Sequence, residues 1–225
     1  MNNIGFRIIQ NENTLNEELI ERFRPLATSL LSDSMNRLHA IGHNLRPYHK
    51  EGKLIGCAFT VKTRVGDNLM VHKAIDIAKP GDVIVVEASG DLTNAIIGEI
   101  MVSIARKNGI AGFVIDGAIR DSGTVSKGTF PVYARGVTHL GPYKDGPGEI
   151  NVPVSIDGMV INPGDIIVGD EDGLVAIPSQ NAEQIIKLAQ QQQEQEKIVL
   201  QSIEDGSIDR RWIDETLRQK GCDGL

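Results

Sequence analysis

Aromatic residues make up only 4% of this chain, and its 23 lysines and arginines are outnumbered by 30 aspartates and glutamates. So few aromatics argue against a surface built for stacking on exposed bases. The formal charge of -7 argues against a general nucleic-acid binder, whose surface is usually basic. Cysteine is nearly absent. Cys57 and Cys222 stand in no metal-ligand spacing, which points to a reducing, cytoplasmic setting rather than a disulfide framework. No apolar run approaches the roughly 20 residues needed to span a bilayer. The opening Met-Asn-Asn-Ile-Gly-Phe-Arg lacks the apolar core of a signal peptide. Neither nucleic acid nor a membrane is therefore expected as a partner.

What is present suffices for one sizeable core, or one domain with a helical appendage: 225 residues, 40% of them hydrophobic. Residues 12–40 read as two helices, with Asn13 or Thr14 capping the first and Pro25 opening the second. In the second, Leu26, Leu30, Leu31, Met35 and Leu38 recur at helical spacing. Residues 41–53 read as a loop and Leu54–Arg64 as a strand. A helix follows from Gly66-Asp-Asn68 to about Lys79, then a Pro80-Gly-Asp82 turn and a buried strand at Val83–Ala88. Ala95–Lys107 reads as a helix stopped at Asn108-Gly109, Ala111–Asp116 as a buried strand and Asp121–Lys127 as a short helix.

Beyond residue 150 the pattern shortens. Ile150–Ile156, Met159–Ile161, Asp165–Val168 and Leu174–Ile177 read as short strands between Asp-Gly and Pro-Gly-Asp turns. Pro-Gly-Asp before an Ile/Val run occurs at both Pro80 and Pro163, a weak internal echo that turn chemistry alone can produce. Residues 179–205 read as a long Gln-rich helix, followed by a polar tail holding Trp212. The whole is one α/β domain over residues 1–225 with mixed sheets and helices at both ends.

The most informative stretch is Gly112-Phe-Val-Ile-Asp-Gly-Ala-Ile-Arg-Asp121. An apolar strand ends there in arginine and aspartate, and Glu99 lies twenty-one residues before the arginine, at a helix start. A helix from about Gly98 to Lys107 advances roughly 15 Å, and the strand returns about 20 Å, so the two ends meet. That is the carboxyl edge of an α/β sheet, where ligands bind. Backbone amides near Gly98, Glu99, Ile100 and Met101 suit a carboxylate. Arg120 adds a bidentate donor. Asp121 is a hard oxygen ligand for Mg2+ or Mn2+, with Glu99 reaching the ion through water. The plainer alternative is a surface Arg-Asp ion pair with aspartate as a helix cap.

Several segments carry a family resemblance: Gly56-Cys-Ala-Phe-Thr-Val61, Gly66-Asp-Asn68, Pro80-Gly-Asp-Val-Ile-Val-Val86, Gly109–Asp121, Gly146-Pro-Gly-Glu-Ile-Asn-Val-Pro-Val154 and Pro163–Gly173. In these the chain resembles the RraA-like family, which includes class II 4-hydroxy-4-methyl-2-oxoglutarate (or 4-carboxy-4-hydroxy-2-oxoadipate) aldolases. The resemblance implies a swivelling β/β/α fold, assembled as a homotrimer or a dimer of trimers. It implies a lyase that releases pyruvate from a small 2-oxo acid, with oxaloacetate decarboxylation as a side activity. The aldolase signature is an aspartate, twenty residues, then Arg-Asp; here Glu99 stands at the aspartate position. By resemblance, Asp121 binds the metal, Arg120 binds substrate and stabilises the enolate, and the 98–101 backbone holds the pyruvate carboxylate. A glutamate from a neighbouring subunit's C-terminal helix completes the family's site, with Glu196 as the match and Glu194 as the fallback. The family also contains a non-catalytic regulator that binds ribonuclease E, which is the competing expectation.

Other candidates read as structural. Asp67 and Asn68 suit helix capping. Asp116 suits support of the strand end, with orientation of Arg120 or proton relay as its functional alternative. His39 and His43 are separated by Gly42 and form no helical zinc pair. The turn-rich loop Gly141–Gly148 suits a structural role over covering a site.

Overall fold

Continuous Val/Ile runs, rather than alternating ones, form the centre of the protein, whose computed structural model describes residues 3–10 and 16–224. In chain order the first elements are β1 (Phe6–Ile8), α1 (Glu17–Glu21), α2 (Thr28–Ser34), β2 (Arg46–Pro47), β3 (Leu54–Thr63), α3 (Leu69–Ile77) and β4 (Asp82–Glu87). Then come β5 (Ala95–Ile97), α4 (Glu99–Lys107), β6 (Gly112–Ile119), α5 (Ser122–Val125), β7 (Val132–Val137) and β8 (Gly148–Ile150). The last are β9 (Val154–Ile156), β10 (Met159–Ile161), β11 (Ile166–Asp170), β12 (Gly173–Ile177), α6 (Ala182–Glu204) and α7 (Trp212–Gln219). The chain divides into two compact units, Met1–Ala189 and Gln190–Leu225.

In the first unit, strands β3, β4, β6 and β7 lie side by side in parallel, and β11 joins β3 antiparallel from its other side. The result is a mixed sheet, as expected from the sequence. Because both faces of its centre are covered, the central strands are apolar without interruption. Successive side chains on a strand point to opposite faces. Ile84, Val86, Phe113 and Ile115 therefore pack with Met70, Ala74 and Ala105 of α3 and α4. Val83, Val85, Val114 and Tyr133 pack on the other face with Val154, Ile156 and Ile161 of the β9–β10 hairpin. A third cluster joins Leu30 and Leu31 of α2 and Ile185 and Ile186 of α6 to β11 and β12.

The repeated Pro-Gly-Asp turn is a shared local device. Each glycine has a left-handed φ, 87° at Gly81 and 90° at Gly164. Each aspartate accepts the amide three residues before it, Lys79 N–H on Asp82 at 2.7 Å and Asn162 N–H on Asp165 at 2.8 Å. The two turns launch β4 and β11, which flank β3 and both meet it at Cys57.

Several boundaries depart from the sequence reading. Ala95–Ile97 is a strand paired with β6, not the first turn of a helix. A three-residue apolar run carries no period of its own, and burial beside β6 decides it. The second N-terminal helix starts at Thr28, not Pro25, and ends at Ser34, because Asn36 and Arg37 take left-handed φ; Leu38 is left exposed. The candidate caps Asn13 and Thr14 lie outside the described residues, and Asn16 caps α1 by accepting from Glu18 N–H. The 41–53 loop contains β2, and Asn151-Val152-Pro153 breaks the expected 150–156 strand into β8 and β9. The polar tail, within the second unit, forms α7 with Trp212 at its start. Among the described residues no helix is long and apolar enough to cross a membrane.

Ile115 is fully buried at the centre of the helix-covered face. Ile115→Ala is expected to lower unfolding free energy by about 2–5 kcal/mol, read by urea melts; a loss below about 1 kcal/mol would contradict this packing.

Candidate functional site

Strand β5, helix α4 and strand β6 form a parallel crossover, and its geometry brings two chain ends together. Gly98 sits between β5 and α4 in an extended conformation (φ -152°). Arg120 extends the β6 ladder by one rung, donating its amide to Ile97 O at 3.0 Å. Asp121 then turns the chain with a left-handed φ of 56°, a region that aspartate tolerates better than most residues. The turn carries the Asp121 carboxylate back to α4, where Oδ2 accepts the Glu99 amide at 3.0 Å. Asp121 thus caps the crossover helix across 22 residues of sequence.

Gly98 makes this closure possible. A Cβ there would lie 2.5 Å from Asp121 Oδ2 and 2.9 Å from Arg120 Cγ. The Arg120 Nε to Asp121 Oδ2 separation is 3.8 Å, with the two side chains 42% and 41% exposed. That is a loose ion pair, so the guanidinium fork is not spent on its neighbour. The structure therefore brings Gly98, the Glu99 amide, Arg120 and Asp121 onto one open ledge at the carboxyl edge of the sheet.

The other expected residues have separate placements. One amide of the expected carboxylate cradle, that of Glu99, is already taken by Asp121. The amides of Ile100 and Met101, in the first helical turn, have no intrahelical acceptor. The Ile100 side chain is exposed, whereas Met101 is buried and accepts Asn68 Nδ2–H on sulfur at 3.3 Å. The Glu99 side chain is exposed on the first turn, where the helix dipole favours an acid. Glu194 and Glu196 lie on the exposed part of α6 in the second unit, Glu194 pairing with Lys197 at 3.2 Å and Glu196 facing Gln192 at 3.5 Å.

Asp121 suits a hard divalent ion in one respect: among the described residues its contacts with Glu99 N–H and Arg120 both fall on Oδ2, leaving Oδ1 to meet a cation. Among the described residues no group of three His, Cys, Asp or Glu side chains could cage a metal. This donor set fits an ion such as Mg2+, which keeps its waters and takes one or two carboxylates plus substrate oxygens. It does not fit a closed zinc site.

Asp116 faces the hairpin rather than the ledge. It pairs with Arg135, which also reaches Asp157 at 2.9 Å. Burial pushes the Asp116 carboxyl above the usual range, although Arg135 pulls the other way. The structural reading of Asp116 is the one this geometry supports.

The sequence reading missed the importance of Asp67, Asn68 and Gly141. The buried Asp67 does bond the α3 start, taking Leu69 N–H, but it also takes the amides of Asp145 and Gly146. Burial alone would push its carboxyl up; the three amides and Arg64 outweigh this and hold it below the usual range. Asn68 caps nothing with its side chain and instead donates to Ile96 O at 2.8 Å. Gly141 lies beside the Arg120 guanidinium. The only sequence signal was the dense turn chemistry of residues 141–148.

A sizeable cavity, about 920 Å3, lies elsewhere. It opens at the amino edge of the sheet and is lined by Ile55, Cys57, Lys73, Ile77 and Asp82. Large cavities are the usual first candidates for ligand sites. Here Arg24 on its wall is already paired with Glu21 at 2.6 Å, and the convergent amide, guanidinium and carboxylate stand on the ledge, which we favour.

Residues 28–176 match the model of the RraA-like family described as Aldolase/RraA. A protein of Halalkalibacterium halodurans, provisionally named a 4-hydroxy-4-methyl-2-oxoglutarate aldolase, is 41% identical over 188 residues, covering 84% of this chain and 90% of its own. An uncharacterised Pseudomonas syringae protein of known structure superposes with a TM-score of 0.79 at 29% identity, over 89% of this chain and 94% of that one. The Streptomyces coelicolor protein RraAS2, described as an unusual member of the RNase ES inhibitor RraA family, superposes with a TM-score of 0.76 at 25% identity. That match covers 84% of this chain and 98% of RraAS2.

Gly98→Ala tests the ledge directly. Its extended backbone accepts alanine, so the loss of unfolding free energy is expected to stay near that of the displaced cap, about 0.5–2 kcal/mol. The added methyl would displace Asp121 and Arg120, which a crystal structure of the variant would reveal. Unmoved Asp121 and Arg120 side chains would refute the close packing.

Proposed function

The chain belongs to the RraA-like, Aldolase/RraA family, and from that premise we propose that it is a pyruvate-releasing carbon–carbon lyase. The substrate would be a 4-hydroxy-2-oxo acid of the 4-hydroxy-4-methyl-2-oxoglutarate type. The observation that carries this reading is the convergence of the Arg120 guanidinium, the Asp121 carboxylate and the first-turn amides of α4 on one ledge. The name given to the H. halodurans relative supports the same reaction class.

Asp121, with Glu99 through water, would hold Mg2+ or Mn2+. Such an ion supplies Lewis acidity toward the 2-oxo group. The amides of Ile100 and Met101 hold the C1 carboxylate at the positive end of α4. Arg120 donates to the C2 oxygen. The C4 hydroxyl gives up its proton to water at this open ledge. The C3–C4 bond then breaks, C4 becomes a carbonyl carbon, and the electron pair moves through C3 toward the C2 oxygen. Arg120 stabilises the charge that develops there. Protonation of C3 completes pyruvate. Oxaloacetate, losing carbon dioxide from the same position, would give the same enolate, so decarboxylation is the expected side activity.

The ledge is open in a single chain. Exposed Ile100, Ile104, Val137 and Leu140 lie on α4, at the end of β7 and just beyond it. These features support assembly as a homotrimer or dimer of trimers, with Glu196, or Glu194 in its place, supplied by a neighbouring subunit. The likeness to RraAS2 supports a second reading, a ring that binds and inhibits a ribonuclease of the E type. Intact Arg120 and Asp121, with an acid at 99, favour the enzyme.

Pyruvate release from both substrates, measured with and without a chelator, tests the proposal. Arg120→Ala is expected to lower kcat by roughly 10^2–10^3, the usual cost of one oxyanion donor. Chelation should abolish turnover, and added Mg2+ should restore it. Full activity in that variant or in chelator would end the mechanism, and ribonuclease capture by a protein inactive on both substrates would favour the second reading.

A further inference from the structure

The loop that follows β7 touches the ledge from the side, and one buried carboxylate holds it there. Asp67 has no exposed side-chain surface. Its Oδ1 accepts Leu69 N–H at 2.9 Å, and its Oδ2 accepts Asp145 N–H at 2.7 Å and Gly146 N–H at 2.9 Å. Arg64 reaches the same Oδ2 at 3.2 Å. Around this hub the loop is tied further, by Tyr143 N–H to Gly66 O at 2.8 Å and Asn68 N–H to Tyr143 O at 3.0 Å. At its other end Asn94 Nδ2–H donates to Gly141 O at 2.6 Å, and Ala95 N–H donates to Leu140 O at 2.9 Å.

Between those anchors Gly141 meets the ledge. A Cβ on Gly141 would stand 3.3 Å from Arg120 Nη1, so the loop backbone borders the guanidinium. The next residue along from the hub, Asn68, ties Ile96 O and the Met101 sulfur, the two sides of the β5–α4 junction. Residues 67 and 68 thus join three pieces of the ledge: the loop beside Arg120, the end of β5 and the first turn of α4.

We propose that Asp67 is a positioning residue that clamps the Gly141–Gly146 loop as a second wall of the site, and that this wall sets where the Arg120 guanidinium stands. The proposal rests on the oxo-acid reading of the ledge for its consequence in catalysis, but the clamp itself can be measured without any substrate. A charged acceptor suits the task because two amides converge on one oxygen. Asparagine in its place must turn an N–H2 group toward either Leu69 N–H or the loop amides, leaving donors facing donors.

Two variants test it. In Asp67→Asn, hydrogen exchange is expected to quicken at least roughly tenfold at the Asp145 and Gly146 amides and in residues 97–101. Unchanged exchange in either segment would overturn the clamp, whatever the protein's activity. Gly141→Ala carries the test if Asp67→Asn fails to fold, since Gly141 is exposed and its φ is outside the left-handed region. That variant is expected to melt as wild type while kcat/KM falls roughly tenfold, and the loss should vanish when Arg120 is already alanine. An equal loss in both backgrounds, or none in either, would overturn the coupling to Arg120. A wild-type protein inactive on both oxo acids would defeat the functional reading alone, leaving the exchange result to judge the clamp.

Discussion

A single hydrogen bond, Glu99 N–H to Asp121 Oδ2, closes the end of β6 onto the start of α4. The strand must run to Ile119, past its bulge, before the carboxylate can reach. The chain must then turn left-handed at Asp121, a conformation that costs energy for most residues. The cap bond, of the kind usually worth about 0.5–2 kcal/mol, offsets that cost and leaves Arg120 on the rim. Gly98 is required because any side chain there would occupy the space this closure uses. The functional groups are therefore gathered by backbone geometry first, and chemistry follows from which groups are gathered.

The same edge of the sheet is divided by its two faces. On the helix-covered side stand α4 and the ledge. On the hairpin side, Glu87 and Asp116 stand in register on adjacent strands, and Arg135 links Asp116 to Asp157 in the β9–β10 turn. Lys62 pairs with Glu87 at 3.0 Å, and Glu87 also accepts Ser155 N–H. Apart from Lys62, whose side chain is half-exposed, these charges compensate one another largely out of solvent. Breaking one partner away would strand the rest, which suits them to fixing the hairpin. The ledge differs: its ion pair is loose and half-exposed, so its charges remain free to meet a ligand.

Much of the architecture was legible along the chain. The runs Val83–Val86 and Phe113–Ile115 read as doubly buried strands because nothing polar interrupts them. The Pro-Gly-Asp turns announced β4 and β11 because glycine and aspartate each perform a fixed local task there. Ala95–Ile97 was misread because three apolar residues fit either period, and only pairing with β6 distinguishes them. The ends of the N-terminal helices were misplaced because Asn36 and Arg37 take a conformation that their identities do not announce. The tail helix α7 was missed because its polar composition hid its amphipathic pattern.

The sequence by itself determined which groups could act. Arg120, Asp121, Gly98 and an acid at 99 could be named from the strand–turn signature and its spacing, since the lengths of a helix and a returning strand are fixed by backbone geometry. Only the tertiary structure decided how those groups are spent. It committed the Glu99 amide to Asp121, buried Met101, turned Asp116 away to Arg135, and brought Asp67 and the 141–146 loop up to Arg120. Those outcomes depend on contacts between residues distant in the chain, such as the 78 positions separating Asp67 from Asp145. No local pattern encodes such contacts.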